Sequence, residues 1–289
     1  QSRELNLKGK KIMNYRSLDT VRDFLRQKKN TAILSAVITI GWIYSFFQVA
    51  ALNPGVNLSR FGPGMDILTF LSKEQTNAMS NLISSIPLCG SFGLSWTLEN
   101  LGGSISMWFS MVLAMMVPTL LIPGFLRSIN IIGFITFLFG YVCIWFGFCF
   151  FAVAVQWCLQ ASEVLNNWMV IINPTTSAAV FLLIGSIQLF KPKLVSLPSW
   201  PKHLNSTQIN SASFSDYFGA GLKRGGDCVY SCSPVMFVMF VFGLMNLVAM
   251  AFLTIIMYLM VNAATVFSAR STGLVLVVFG MLLLGLQHT

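Results

Sequence analysis

The chain has 289 residues, of which 55% are hydrophobic and only 9% charged, and its formal charge is +9. A soluble globular domain carries about 25% charged residues, so water is not the solvent for most of this surface. Nine of the 18 Lys and Arg precede Thr31 and flank a long apolar run. That is how a cytoplasmic, lipid-facing segment is built, so the basic charge calls for membrane lipid and not for nucleic acid.

Taken in order, residues 1–30 form a basic cytoplasmic segment, within which residues 18–26 suit a short in-plane helix with Arg22 and Arg26 opposite Leu18, Val21, Phe24 and Leu25. Residues 31–289 form a membrane domain. The expected fold class is all-α, a polytopic bundle of about six transmembrane helices. The spans fall at about 31–52, 105–126, 131–159, 169–190, 234–260 and 272–286, and the last is short. The first reads as a signal anchor, since it is too long for a cleaved signal peptide; Met13 is a candidate start. Between the first two spans, residues 53–104 form an external segment whose apolar residues from Ile67 to Ile86 recur at helical spacing. Residues 191–233 read as a cytoplasmic loop, rich in Ser, Pro and Asn over 194–216. With the N-terminus inside, this arrangement divides the basic residues 15 inside to 3 outside, as the positive-inside rule requires. The expected location is a prokaryotic cytoplasmic membrane.

None of the six runs contains Asp, Glu, Lys or Arg, and both histidines lie outside them. Ionisable residues within the membrane mark proton relays and ion pathways, so a pump or ion-coupled transporter is disfavoured. A His-ligated zinc or haem site within the membrane is disfavoured as well. No conventional catalytic motif is present, and no catalytic activity of the chain's own is expected.

Sulfur and neutral polar groups remain. Met107, Met111 and Met115 recur every four residues on the second span and share a stripe. On the fifth run Met236, Met239, Gly243, Asn246, Met250, Thr254 and Met257 fall within roughly 80° on one helix. Cys228 and Cys232, spaced i and i+4, precede that run. Ser233-Pro234 reads as its N-cap and first residue, which puts both thiols at the cytoplasmic mouth. Thiolate and thioether donors suit Cu(I). The alternative is that the methionines fill gaps between helices and Asn246 bonds a neighbour.

The segment from Met107 to Pro118 contains W-x-x-M-x-x-A-M-M-x-P. It resembles the signature of an uncharacterised family of predicted metal-binding integral membrane proteins. Further blocks follow in order: Gly140-Tyr141 with Trp145, Gln156 and Leu159; Gly185 with Gln188 and Lys193; and Cys228, Cys232, Met236, Gly243, Met245 and Asn246. Ser231 stands where the family usually has the first cysteine of a Cys-Cys pair, and residues 194–200 lack the two cysteines common there. The resemblance implies metal binding; joined to the sulfur positions it gives an expected metal site built on Cys228, Cys232, Met236, Met107, Met111 and Met115, with Asn246, Gln188 and Gln156 as further polar positions and copper, on ligand chemistry, as the metal. Two other readings stay open. One is a non-catalytic accessory subunit of a larger membrane complex, partnered by other membrane proteins. The other is a transporter of a small neutral solute.

Overall fold

The computed structural model describes residues 2–50, 62, 64–65, 98–122, 125–126, 129–166, 169–190, 213–262 and 267–286. Among these the chain is helical, with α1 at Ser2–Ala50, α2 at Leu98–Met115, α3 at Ile131–Ala161, α4 at Pro174–Phe190, α5 at Phe214–Phe237, α6 at Leu247–Asn262 and α7 at Phe267–Gly285. Four stretches are long and apolar enough to cross a bilayer: Asp23–Val49, Asn100–Leu120, Ile131–Ala161 and Phe214–Phe242. Pro174–Phe190, Leu247–Val261 and Arg270–Gly285 are shorter apolar helices. The architecture is therefore compatible with a membrane protein. The expected surface helix between Ile67 and Ile86, and the loop over 191–212, lie outside the described residues.

Helix α1 runs unbroken for 49 residues, so no separate in-plane helix precedes the first apolar run. Asn30 anchors it. Its Nδ2 is buried and donates to the carbonyls of Leu126 and Ile129, both at 2.9 Å. Helix α2 begins before the expected run and stops at Met115, because Pro118 cannot donate to the helical ladder. The chain tightens instead into a 3-10 turn at Val117–Leu120. Helix α3 starts on an Asn130 cap, whose side chain accepts from Gly133 N at 2.7 Å. One stripe of α3 (Phe134, Tyr141, Trp145, Cys149, Ala152) is buried. The opposite stripe (Ile132, Ile135, Phe139, Phe146, Phe150) is apolar and exposed, as a lipid-facing side would be.

The fifth run is not one helix. Pro234 lies inside α5, so Ser233-Pro234 marks no beginning. The true start is a capping box at Ser213, where Ser215 N donates to Ser213 Oγ at 3.1 Å and Ser213 N donates to Asp216 Oδ2 at 2.8 Å. After a short helical turn, Met239–Phe242, the helix breaks at Gly243, whose φ of 96° suits glycine. Asn246 then opens α6, its Oδ1 accepting from Ala249 N at 2.9 Å and its Nδ2 donating to the Phe242 carbonyl at 3.1 Å. The expected single face from Met236 to Met257 does not exist, because it crosses this break. Likewise residues 214–233 are helix rather than loop. Lys223 and Arg224, which the charge count placed in a cytoplasmic loop, sit on α5 within the Phe214–Phe242 stretch.

Two helix pairs are drawn together by glycine. Where α3 meets α5, a Cβ on Gly221 would collide with the Phe137 carbonyl oxygen. Where α4 meets α7, Gly185 and Gly273 face each other, and a Cβ on Gly185 would lie 2.8 Å from the Gly273 carbonyl oxygen. Such close backbone approach is how helices associate where the surrounding solvent is itself apolar. The main core lies among α1, α2, α3, α5 and α6, and α4 and α7 contribute to a smaller satellite cluster around Phe181, Ile184, Val238 and Leu276.

Candidate metal centre

The α3–α5 seam brings Tyr141 of α3 against Cys228 of α5. Cys228 and Cys232 lie on successive turns of α5, at 1% and 0% exposure, and are not at a solvent-facing mouth. Both are free thiols, and Cys228 Sγ donates to Cys232 Sγ at 3.8 Å. The Tyr141 hydroxyl, fully buried, donates to Cys228 Sγ at 3.3 Å and reaches the Met116 carbonyl at 3.1 Å. Thr119, held in place by the 3-10 turn, lies 3.3 Å from the Tyr141 hydroxyl and 3.9 Å from Cys228 Sγ, and donates to Met116 O at 2.6 Å. The Pro118 break in α2 thus bears on the centre, because it brings Thr119 and the Met116 carbonyl to the Tyr141 hydroxyl.

The sulfur spacing decides what the pair can hold. An ion about 2.3 Å from each sulfur would subtend about 110° across a 3.8 Å gap. That angle belongs to a three- or four-coordinate ion and requires at least one more donor. Among the described residues no three His, Cys, Asp or Glu side chains come together to supply a harder cage. The remaining donors are thioethers. Met115 and Met116 precede the 3-10 turn, and Met236 lies one helical turn beyond Cys232; all three are fully buried in the same core. Thiolate and thioether are the ligands that a soft ion of the Cu(I) type prefers.

The other anticipated residues divide. Met107 and Met111 are buried in the same core, but eight residues separate Met107 from Met115, about 12 Å of helix rise. The stripe is a ladder, and its three sulfurs cannot meet on one ion. Gln156 orients other groups, accepting from Trp108 Nε1 at 2.8 Å and donating to Met169 Sδ at 3.3 Å. Gln188 donates to Met260 Sδ at 2.9 Å and to the Ser231 carbonyl at 3.4 Å. Asn246 caps α6 and is not brought to the thiols. Ser231 Oγ donates back to the Asp227 carbonyl at 2.8 Å, so the position of the family's adjacent cysteine is occupied by a hydroxyl bonded to its own helix.

Thr119 and the role of Tyr141 were not anticipated from sequence. The available signal was Ser213-x-x-Asp216, a capping box that starts a helix twenty residues before Pro234 and carries Cys228 into the bundle. Aromatic rings close the core beyond the thiols. Trp108 contacts Phe148, Phe237 and Phe240 at centroid distances of 6.4, 6.4 and 5.7 Å, and Trp145 meets Phe148 at 5.3 Å.

Fold and centre together define an all-helical, membrane-compatible protein with a buried pair of thiols amid thioethers. A family model described as PpoB2, copper chaperone, matches residues 105–283, well over half of the chain. The chain belongs to that family. No curated protein and no solved structure matches it.

Proposed function

We propose that the protein carries Cu(I) as cargo within the membrane, bound by the thiolates of Cys228 and Cys232 and by one thioether from Met115, Met116 or Met236. The observation that carries this reading is the 3.8 Å thiol pair, buried and met by two hydroxyl groups. The family's description as a copper chaperone supports the identity of the ion. Loading forms three Cu–S bonds, two to thiolates and one to the thioether, and releases two thiol protons as the ion leaves its donor. Delivery reverses this, as an acceptor's sulfur or nitrogen replaces the thiolates one at a time. Met107 and Met111 give the ion a soft path along α2, each sulfur within reach of the next but none able to trap it alone.

The test is anaerobic loading of the detergent-purified protein with Cu(I) against a chromophoric chelator. One ion per chain is expected, with an all-sulfur shell by X-ray absorption. The Cys228→Ser, Cys232→Ser double variant is expected to lose it. Full copper retention by that variant would remove the thiol pair from the function.

A further inference from the structure

Arg224 stands on α5 one turn before Cys228 and on the same stripe. Helical side chains lean toward the N-terminus, so the Cys228 thiol points back over the turn that Arg224 begins. The guanidinium lies within Coulombic range of Cys228. Its Nη2 is buried and has no hydrogen-bond partner among the described residues, whereas neighbouring Lys223 is exposed. Asp227, three residues on and half-buried, does not satisfy that nitrogen. The side chain as a whole is half-buried, and an ionisable group on a membrane-compatible helix calls for a functional explanation.

From this placement we infer that Arg224 sets the charge selectivity of the Cys228–Cys232 centre, favouring a monovalent soft cation over a divalent one. The inference rests on the proposed reading of that pair as the cargo site. With both thiols protonated the centre is neutral and offers the guanidinium no counter-charge. A monovalent ion that displaces two protons leaves a dithiolate complex of net charge −1, and the guanidinium neutralises it. A divalent ion on the same two thiolates gives a neutral complex, which again offers the guanidinium no counter-charge. Softness alone does not separate these cases, since Cd(II) is also thiophilic. Charge does, and the buried cation disfavours the wrong ion as well as favouring the right one.

The full-length protein is loaded with Cu(I) and challenged in parallel with Ag(I) and Cd(II), and Cu(I) and Zn(II) affinities are measured for the unmutated chain, Arg224→Lys and Arg224→Gln. Ag(I) is expected to displace Cu(I), and Cd(II) at the same concentration is not. Arg224→Gln is expected to lower the ratio of Cu(I) to Zn(II) affinity about tenfold or more, and Arg224→Lys to keep it within about threefold. An unchanged ratio in Arg224→Gln, or equal weakening of both ions, overturns the charge role. Equal displacement by Ag(I) and Cd(II) from the unmutated protein overturns it even if Arg224→Gln fails to fold. If the unmutated protein binds no Cu(I), the cargo reading falls and takes this one with it.

Discussion

The α3–α5 pair and the α4–α7 pair are both closed by glycine, yet they enclose different things. Between α3 and α5 the approach at Gly221 presses Tyr141 against Cys228, and the surrounding core is sulfur, aromatic rings and a few bonded polar groups. Neither α4 nor α7 carries a cysteine, so the approach at Gly185 and Gly273 brings no thiols together. The outward faces of that pair, with Leu183, Leu274, Val275 and Met281, are apolar and exposed. The same packing device builds a reactive interior in one place and a lipid-compatible flank in the other. Close approach is therefore not itself the functional signal; what matters is which side chains it brings together.

The largest effect should come from prying the two seams apart separately. Gly221→Val meets the Phe137 carbonyl and should destabilise by about 3 kcal/mol or more, with copper binding lost at once. Gly185→Val should cost about as much stability and leave copper stoichiometry unchanged. Thermal unfolding with metal analysis on the same samples checks both, and loss of copper in Gly185→Val would dissolve the distinction. The next effect compares the two glutamines. Trp108→Phe strips Gln156 Oε1 of its buried donor and should cost about 1–3 kcal/mol. Gln188→Leu should be nearly neutral, because Gln188 Oε1 is already buried without a partner and the substitution removes it. Denaturant midpoints rank the pair. Tyr141→Phe should cost the fold about 1 kcal/mol. It removes the hydrogen bond to Cys228 Sγ, and Cu(I) affinity should fall about 10-fold; chelator competition measures it, and unchanged affinity would make the phenol a packing group only.

Some of this was legible in the sequence. The apolar run of α3 marks that helix to within a few residues, because a long uncharged stretch has few other uses. The stripe of Met107, Met111 and Met115 follows from spacing alone. Helix α5 was hidden because its first half is polar and glycine-rich, and its burial comes from α3, a partner that no local pattern reveals. Pro234 misled in the opposite direction. Proline after serine is a good helix start, yet here the surrounding bundle tolerates it inside a helix. The pairing of Cys228 with Cys232 was visible as an i, i+4 spacing; their depth was not, since depth depends on where α5 begins.

The break at Gly243 also bears on how the protein is made. Gly62, at φ 115°, lies so close to the Phe242 carbonyl that a side chain there would collide with the oxygen, and Met65 beside it is fully buried. These two places are about 180 residues apart in the chain. During synthesis residues 62–65 emerge long before their receptor does, since chains are built and fold from the N-terminus. That junction is therefore sealed late in biogenesis, once the chain beyond Phe242 has been made, and a ribosome that stalls before it leaves the early segment with nowhere to dock.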